Sequence, residues 1–403
     1  MKKMGLREFL FILPILILIG IFSLWPVVQS FTYSFFDYQL NDRTKSGLYL
    51  SERFNPDLYH ETAFYVDRLL TQDMEKFSEE NKQEVKETLK QINEIDKQFE
   101  GQKEVTKIDG DTTKKIETAY EQTKKLVKDL KDQYKLTDPK NLPLLVEDIN
   151  NSLVQSNFIG FNGYVKALKD DRIHTATINT FIFTIISVFF ELILGLGMAL
   201  IMNKAMKGQG FIRTASLIPW AIPTAVGALM WSYLYDGGYG IVALIFSKIG
   251  LIGAPTDLLQ TGTGAMSAAI LADVWKTTPY MAILLLAGLQ TIPKSLYEAG
   301  AIDGATKIQQ FFRVTLPLLK SSILVALLFR TLDAFRVFDL IYVLTGGGPG
   351  GATETLSMYS YKVMFGQTDF GYGSVIVIIM FVFVAIISII FVRVLGTDLM
   401  EKN

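Results

Sequence analysis

The sequence predicts an all-α membrane protein with six transmembrane helices and a helical-hairpin insertion between the first and second. Half of the 403 residues are hydrophobic although a fifth are charged. The charged residues are concentrated in residues 41–157. The rest of the chain contains six apolar runs of the roughly 20 residues that a bilayer crossing needs, at about 9–31, 177–202, 212–234, 265–289, 319–344 and 373–394.

The first apolar run is longer than a signal-peptide core, and no small-residue cleavage pattern follows it, so we expect a retained membrane helix. Lys and Arg in short loops favour the cytoplasmic side. They are Lys2, Lys3 and Arg7 at the N-terminus, Lys204, Lys207 and Arg213 in loop 203–213, Lys294, Lys307 and Arg313 in loop 291–318, and Arg393 and Lys402 near the C-terminus. The loop 235–263 has only Lys248. We predict a multi-pass protein of the cytoplasmic (inner) membrane with both termini in the cytoplasm.

This orientation makes the insertion extracytoplasmic. Apolar residues recur at helical spacing from about residue 61 to 100 and again from Ile116 to Tyr134, which predicts an antiparallel helical hairpin. A further short helix is expected at 144–154. The predicted domains are 1–40 (cytoplasmic N-terminus and first transmembrane helix), 41–157 (extracytoplasmic helical insertion) and 158–403 (transmembrane core with a cytoplasmic loop at 291–318).

The loop 291–318 places small residues between two apolar runs. It contains Glu298-Ala-Gly-Ala-Ile-Asp-Gly-Ala305, followed by Thr315-Leu-Pro-Leu318. Gly304 permits a sharp turn between two short helices because glycine tolerates a positive φ. Pro317 suits the first position of the next helix. Taken alone, the short motif also fits an ordinary polar loop between membrane helices.

This segment resembles the EAA loop of permease subunits from ATP-binding-cassette (ABC) importers, and its flanks resemble the maltose-type (MalF-like) sugar branch of binding-protein-dependent inner-membrane components. In that family the loop docks on a separate ATPase subunit. The resemblance implies that ATPase coupling involves Glu298, Ala299, Gly300, Asp303, Gly304 and Ala305. Gly300 departs from the usual alanine and is expected to loosen its helical turn, since glycine costs about 1 kcal/mol against alanine.

The same resemblance implies partners and excludes others. We expect an ATPase dimer, a second homologous permease, an extracytoplasmic solute-binding protein, a sugar substrate and membrane lipid, and no nucleic acid. We expect that the chain is not an enzyme and binds no cofactor, because ATP and Mg²⁺ would be bound by the partner ATPase. The insertion is either a platform for the binding protein or a solvated stalk, and the sequence leaves both open.

Ionisable residues inside a membrane span are costly and are therefore functional candidates. The fifth run carries Arg330, Asp333, Arg336 and Asp339 at intervals of three, which predicts one shared helix face, and the second carries Glu191. The resemblance implies sugar contacts at Trp220, Thr224, Asp273, Lys276, Thr277, Tyr280, Arg330, Asp333, Ala334 and Val337. Charged and small apolar residues replace several neutral family residues, which indicates a different or more polar sugar than maltose.

Other interpretations of these residues remain compatible with the sequence. The four charges of the fifth run could serve only to pair with one another or with a partner subunit, and Trp220 and Tyr280 fit interface or packing roles. An ion-coupled secondary transporter would use the carboxylates Asp273, Asp333 and Asp339, but it leaves the 298–317 segment unexplained. A membrane sensor would need a cytoplasmic output domain, and only short loops face inward.

The remaining signals point away from catalysis and metal binding. Cysteine is absent and the two histidines are far apart, so no metal site is predicted. No catalytic constellation is apparent. The segment Gly346–Gly351 lacks the Gly-Lys-Ser/Thr of a nucleotide-binding loop, and we expect a flexible gating or docking loop there. The sequence therefore predicts the permease subunit of a sugar importer.

Overall fold

The computed structural model describes residues 6–204 and 208–400. Its helices in chain order are α1 (Leu6–Ile19), α2 (Trp25–Tyr33), α3 (Pro56–Asp73), α4 (Glu79–Gln98), α5 (Gly110–Gln133), α6 (Asn141–Asn151), α7 (Asn162–Leu168), α8 (Asp171–Asn203), α9 (Gln209–Ser216), α10 (Ile218–Ala221), α11 (Thr224–Leu234), α12 (Ile241–Lys248), α13 (Asp257–Gln260), α14 (Gly262–Gln290), α15 (Lys294–Ile302), α16 (Lys307–Gln310), α17 (Leu316–Phe335), α18 (Asp339–Leu344), α19 (Leu356–Tyr361) and α20 (Phe370–Met400). Two short strands, β1 (Arg53–Phe54) and β2 (Leu153–Val154), pair antiparallel.

Contacts divide the chain into two compact units. The membrane unit comprises the described residues of 1–34, 164–367 and 372–403, and the insertion unit comprises 35–163 and 368–371. Four of the basic residues used to predict orientation, Lys2, Lys3, Lys207 and Lys402, lie outside the described residues. The placement of the termini in the cytoplasm therefore stays a prediction.

Five described helices are long and apolar enough to cross a membrane, at Leu10–Tyr33, Asp171–Asn203, Gly262–Gln290, Lys307–Phe335 and Phe370–Val394. A sixth candidate is the pair Gln209–Ala221 and Thr224–Leu234, whose axes are bent by 85°. The predicted all-α membrane fold is confirmed, and the predicted count of six holds if the bent pair is one span.

The predicted third span, 212–234, is therefore not one straight helix. The break falls where Ile222 adopts an extended conformation (ψ 131°) immediately before Pro223. Proline has no N–H and disfavours helical geometry in the residue before it. The Lys276 ammonium donates to the carbonyl oxygens of Trp220 (3.2 Å) and Ile222 (2.6 Å). These bonds stabilise a helix break, because unpaired carbonyl groups are costly at membrane depth.

The predicted fifth span, 319–344, is wrong at both ends. The helix begins at Lys307, passes through a π-helical turn at Phe311–Thr315, and ends at Phe335. A new helix, α18, begins at Asp339. The four charged residues of this run thus do not share one helix face as predicted. Pro317 is the second residue of α17, directly after the π-helical turn, rather than the first residue of a separate helix.

The helices α8 and α14 pack closely in the membrane unit. A Cβ atom at Gly195 of α8 would lie only 2.8 Å from Cγ of Met281 in α14. The buried residues of α14 include the small side chains Ala265, Ala268, Ala269, Ala272 and Ala282. Small residues let membrane helices approach closely, which is the main source of their packing attraction. This approach brings polar groups of α14 within hydrogen-bonding distance of α8.

The insertion unit contains four described helices, α3 to α6, and so is larger than the predicted hairpin. Helices α3 and α4 replace the single helix predicted over 61–100. Ser78 accepts a hydrogen bond from the Asn81 N–H (3.3 Å), and two glutamates follow it, which together mark a helix start. The apolar spacing hid this break because Phe77 is itself buried. The core residues include Leu70, Val85, Ile92, Ile116, Leu126, Val127, Leu142 and Val146.

Asp73 ties the end of α3 to the segment between α5 and α6. Its carboxylate, 3 % exposed, accepts hydrogen bonds from Lys76 Nζ (2.6 Å), Thr137 N (2.7 Å) and Thr137 Oγ1 (2.5 Å). Burial raises the pKa of Asp73, but the hydrogen bonds from Lys76 and Thr137 outweigh it and hold the pKa below its ordinary value. Because the pKa of Asp73 is lowered by folding, its ionised carboxylate stabilises the fold at pH values above the unfolded-state pKa of about 3.9. That contribution is lost as the pH falls through the lower, folded-state pKa.

We therefore expect Asp73→Asn to loosen the insertion unit at neutral pH. Loss of hydrogen bonds to a buried charge costs about 2 kcal/mol, which corresponds to about 30-fold faster amide exchange. Hydrogen–deuterium exchange of the full chain, read in peptides covering residues 74–79 and 135–139, measures this. The matched control is Glu79→Gln, because Glu79 pairs with Lys82 at the same spacing but is 91 % exposed. Such an exposed pair contributes little to stability. Equal effects of the two variants would contradict the assignment.

Candidate functional site

A cavity of about 340 Å³ lies within the membrane unit. Its lining residues are Trp220, Thr224, Asp273, Lys276, Thr277, Arg330, Asp333, Ala334, Arg336, Val337, Phe338, Asp339 and Leu340. Nine of the ten residues predicted to contact sugar are among them. The tenth, Tyr280, is not in the lining and stacks on Trp220, with ring centroids 5.5 Å apart and planes 11° from parallel.

Three chain segments position these side chains. Thr224 is the first residue of α11, directly after the bend at Pro223. Asp273, Lys276 and Thr277 lie on one face of α14, because residues three and four apart are neighbours on a helix. The end of α17 and the turn after it supply the residues from Arg330 to Leu340. The bend before α11 and the early end of α17 therefore both shape the cavity.

Arg330 is the centre of a buried charge cluster that joins α8, α14 and α17. Its Nε and NH2 groups donate to the two carboxylate oxygens of Glu191, at 2.5 and 2.7 Å. NH2 also donates to Asp273 Oδ2 at 3.1 Å, and NH1 donates to Asp333. Thr277 Oγ1 lies 2.7 Å from Glu191 Oε1. Bidentate arginine–carboxylate pairs are strong and orientationally specific, so this cluster fixes the relative positions of three helices.

The four charged residues of the fifth run have separate roles. Arg330 and Asp333 form an ion pair with each other, which agrees with the interpretation that charges of this run pair with one another. Arg336 Nε donates to the Leu332 carbonyl at 3.1 Å, and Asp339 is the first residue of α18. All four line the cavity although the helix ends between them. The predicted gathering of charges is therefore observed, but a chain turn produces it instead of a continuous helix face.

Sequence reasoning missed two aspects of this site. Phe338 and Leu340 line the cavity, and no spacing or composition signal in the chain distinguishes them from ordinary apolar residues. Glu191 was recognised as an intramembrane charge, but its pairing with Arg330 across 139 residues was not predicted. The available signal was the cost of an isolated intramembrane charge, which implies a partner without identifying it.

The segment predicted to couple to an ATPase forms a helix–turn–helix. Helix α15 ends at Ile302, Gly304 adopts φ +77° as predicted, and Thr306 and Gln309 form a capping box at the start of α16. The Gln310 side-chain amide donates to the carbonyl oxygens of Tyr297 and Ala305, both at 3.3 Å. Glu298, Ala299, Asp303 and Gly304 are exposed, and Gly300 and Ala305 are half-buried.

Large apolar side chains are also exposed on this segment. Ile302 is 87 % exposed, and Ile308 and Phe312 are exposed as well. Ile302 lies outside the candidate spans, whereas Ile308 and Phe312 lie within the candidate span Lys307–Phe335. Exposed apolar side chains outside a membrane span are typical of protein-interaction surfaces.

Hydrogen bonds hold the glycine-rich segment 346–351, for which flexibility was predicted. Asn179 Nδ2 donates to the carbonyl oxygen of Gly351 (3.0 Å), and Lys362 Nζ donates to that of Gly346 (2.9 Å). Glu354, which follows the segment, pairs with both Arg172 (2.6 Å) and Lys362 (2.8 Å). The segment therefore has a defined conformation with several attachments to its surroundings, and its mobility stays a prediction.

Comparison with known proteins places this architecture in a family. The family described as "binding-protein-dependent transport system inner membrane component" matches residues 191–400. The trehalose/maltose transport system permease protein MalF of Thermococcus litoralis is 47 % identical over 237 residues, which are 59 % of this chain and 79 % of that protein. The sulfoquinovosyl glycerol transport system permease protein SmoG of Agrobacterium fabrum is 41 % identical over 242 residues, 60 % of this chain and 78 % of that protein.

A solved structure shares the fold. The crystal structure of a bacterial ABC transporter involved in the import of the acidic polysaccharide alginate superimposes with a TM-score of 0.54 at 24 % identity, over 59 % of this chain and 84 % of that chain. The matched family region contains the cavity, the charge cluster and the helix–turn–helix at 294–310. The chain is a multi-pass inner-membrane transport component and belongs to the binding-protein-dependent transport system inner membrane component family.

Proposed function

We propose that this chain is the permease subunit of an ABC importer that carries a mono- or oligosaccharide across the cytoplasmic membrane. The observation that carries the proposal is the 340 Å³ cavity, because nine residues selected for resemblance to sugar contacts converge there. It combines the aromatic side chain of Trp220 with planar polar groups such as the Asp333 carboxylate. Ligand sites commonly combine apolar surface with a few placed polar groups. The relatives named for trehalose, maltose and sulfoquinovosyl glycerol support a sugar as the substrate.

The energy source in this proposal is a separate ATPase, which binds the ATP and Mg²⁺ and docks on the segment 291–318. Glu298, Ala299, Gly300, Asp303, Gly304 and Ala305 form the contact, as the resemblance implies. The exposed Ile302 and the small residues around it support the proposal, because they allow close approach of a partner backbone. Closure of the ATPase would move this segment, and α17, continuous with α16, would carry the movement to Arg330 and Asp333.

The further partners are a second homologous permease and an extracytoplasmic solute-binding protein that delivers the sugar. The description of the matched family as binding-protein-dependent supports the latter. The insertion unit is proposed to lie outside the cytoplasm and the termini inside it.

An ion-coupled secondary transporter is the weaker candidate. It requires carboxylates that are free to bind and release an ion, but Asp273 and Asp333 both contact Arg330. It also assigns no role to the exposed segment at 298–305. The two proposals differ in energy source: the importer requires ATP in reconstituted vesicles, whereas the secondary transporter would run on an ion gradient alone.

We expect Trp220→Ala to lower ATP-dependent sugar uptake at least several-fold, because the cavity loses the larger of the aromatic side chains, Trp220 and Phe338, that line it. Uptake is measured in proteoliposomes that contain the purified complex with its binding protein, and assembly and basal ATP hydrolysis are measured in parallel. Trp220→Phe is the matched control, since it keeps an aromatic face and should keep most of the uptake. Tyr280→Ala removes the ring that stacks on Trp220, and a smaller loss is expected. Wild-type uptake by Trp220→Ala would place the sugar elsewhere.

A further inference from the structure

The position of Arg330 determines which hydrogen-bonding groups the cavity offers to a ligand. Its side chain is only 1 % exposed, although it is one of the lining residues. A guanidinium has five N–H donors. Two of them contact Glu191, one contacts Asp273 and one contacts Asp333. The basic group at this wall therefore has almost no donor left for a ligand.

Glu191 is the residue that holds Arg330 in this position. It is 0 % exposed and reaches Arg330 from α8, whereas the other two carboxylates belong to α14 and α17. It alone makes the two-point contact, through both carboxylate oxygens. Since Glu191 is fully buried, it does not touch a ligand in the cavity and acts only through its neighbours.

Acceptor groups face the cavity instead. The side chain of Asp333 is 65 % exposed, and an ionised carboxylate accepts hydrogen bonds but donates none. The ammonium of Lys276 donates two of its three N–H groups to backbone carbonyls. Arg336 is the exposed basic residue of the lining. The exposed charged side chains of the lining are two carboxylates, Asp333 and Asp339, and one guanidinium, Arg336.

We propose that Glu191 is a positioning residue that keeps Arg330 behind the cavity wall, so that the wall presents carboxylate acceptors and selects an uncharged sugar over a sugar acid. Hydroxyl groups of an uncharged sugar donate to Asp333, whereas an anionic group would meet like charge away from bulk water. The inference rests on the proposed function in taking the ligand to be a sugar. Similarity leaves this choice open, because the compared proteins are named for trehalose and maltose, for a sulfonated glycoside and for an acidic polysaccharide.

Because the sequence contains no cysteine, a single introduced thiol can report the electrostatic potential of the cavity. Thr224→Cys places one thiol at a half-buried lining position. In the detergent-purified full chain, the thiol is modified separately by a cationic and by an anionic methanethiosulfonate. The cationic rate is divided by the anionic rate, and this quotient is normalised to the same quotient measured for free 2-mercaptoethanol. The quotient is independent of the ionisation of the thiol, because both reagents react with the same thiolate. We expect a normalised quotient above one, and a value at or below one overturns the assignment to uncharged sugars.

Glu191→Asp, added to Thr224→Cys, tests the positioning role. The charge is unchanged, but the shorter side chain no longer spans the two-point contact, so Arg330 is released toward the cavity and the quotient falls. An unchanged quotient overturns the positioning role. Glu191→Gln provides a second measurement and should lower the quotient several-fold, since one charge is also lost. In an Arg330→Met background the effect of Glu191→Gln should be smaller, because only the loss of the charge remains and no guanidinium can be released. An equal effect in both backgrounds means that Glu191 does not act through Arg330.

A competition experiment tests the substrate class in the reconstituted importer. Trehalose is the uncharged probe and glucuronate is the acidic one. We expect uptake of labelled trehalose to be reduced by unlabelled trehalose and not by the same excess of glucuronate, and equal competition overturns the selectivity. Absence of ATP-dependent uptake of any mono- or oligosaccharide counts against the proposed function, whereas the ratio of thiol modification rates tests the charge argument independently of transport.

Discussion

Gly304→Asp is expected to reduce ATP hydrolysis stimulated by the binding protein at least about tenfold while leaving the membrane helices intact. Gly304 is exposed at a turn with φ +77°, and apart from its two chain neighbours no described residue lies within 4 Å of where its Cβ would be. The added carboxylate therefore projects from the surface proposed to meet the ATPase. Burying an unpaired charge in an interface costs several kcal/mol, so docking of the ATPase should be weakened. Co-purification of the ATPase and its stimulated rate measure the effect.

The Gly304→Asn variant distinguishes the effect of the added charge from the effect of replacing glycine at this turn. Asn and Asp have nearly the same shape, and both tolerate left-handed geometry better than other non-glycine residues. The two variants therefore share any cost of the turn and differ in charge. We expect the Asn variant to keep most of the stimulated ATP hydrolysis. If both variants behave alike, turn geometry rather than docking explains the loss, and if both match the wild type, this segment is not the coupling surface.

Gly288→Ala is expected to lower the thermal unfolding midpoint of the detergent-purified protein. A Cβ at Gly288 in α14 would lie 2.5 Å from Cβ of Ser322 and 2.8 Å from Cδ1 of Leu319, both in α17. Overpacking of this kind costs about 1–3 kcal/mol and would separate the two helices that carry Asp273 and Arg330. Removal of the opposing side chain by Ser322→Gly should restore the midpoint of the double variant relative to Gly288→Ala alone.

The matched control is Gly197→Ala in α8, where no described atom lies within 4 Å of the added Cβ apart from the chain neighbours and the backbone of α8 itself. Alanine is favoured over glycine in a helix by about 1 kcal/mol, so this variant should be neutral or stabilised. A midpoint for Gly288→Ala at or above the wild-type value would show that α14 and α17 are not in close contact at this point.

Several features of the fold were predictable from local sequence. The apolar runs identified the membrane helices because crossing a bilayer requires length and hydrophobicity, both of which are properties of a contiguous segment. The turn at Gly304 was predicted because a positive φ favours glycine. The bend at Pro223 was predictable on the same basis, since proline disfavours helical geometry in the residue before it, although the run 212–234 was taken as one span.

The end of α17 at Phe335 was not predictable in this way. Neither proline nor glycine occurs between Phe335 and Asp339, and the apolar run continues through α18. Packing of α18 in the membrane unit, where Leu340 and Ile341 are buried, accompanies the break. The split of the first insertion helix into α3 and α4 was likewise concealed, because buried Phe77 continued the helical spacing across it.

The sequence by itself determined the membrane-spanning class, the polar insertion, the helix–turn–helix at 294–310 and nine of the residues that line the cavity. The tertiary structure alone decided how those residues are used. Arg330, predicted as a sugar contact, lines the cavity with 1 % of its side chain exposed and pairs with Glu191, 139 positions away. Tyr280 stacks on Trp220 outside the lining. The physical reason is that helix spacing and hydrophobicity are local properties of the chain. The partner of a buried charge depends on which helices pack together, and close packing at glycines such as Gly195 and Gly288 decides that in three dimensions.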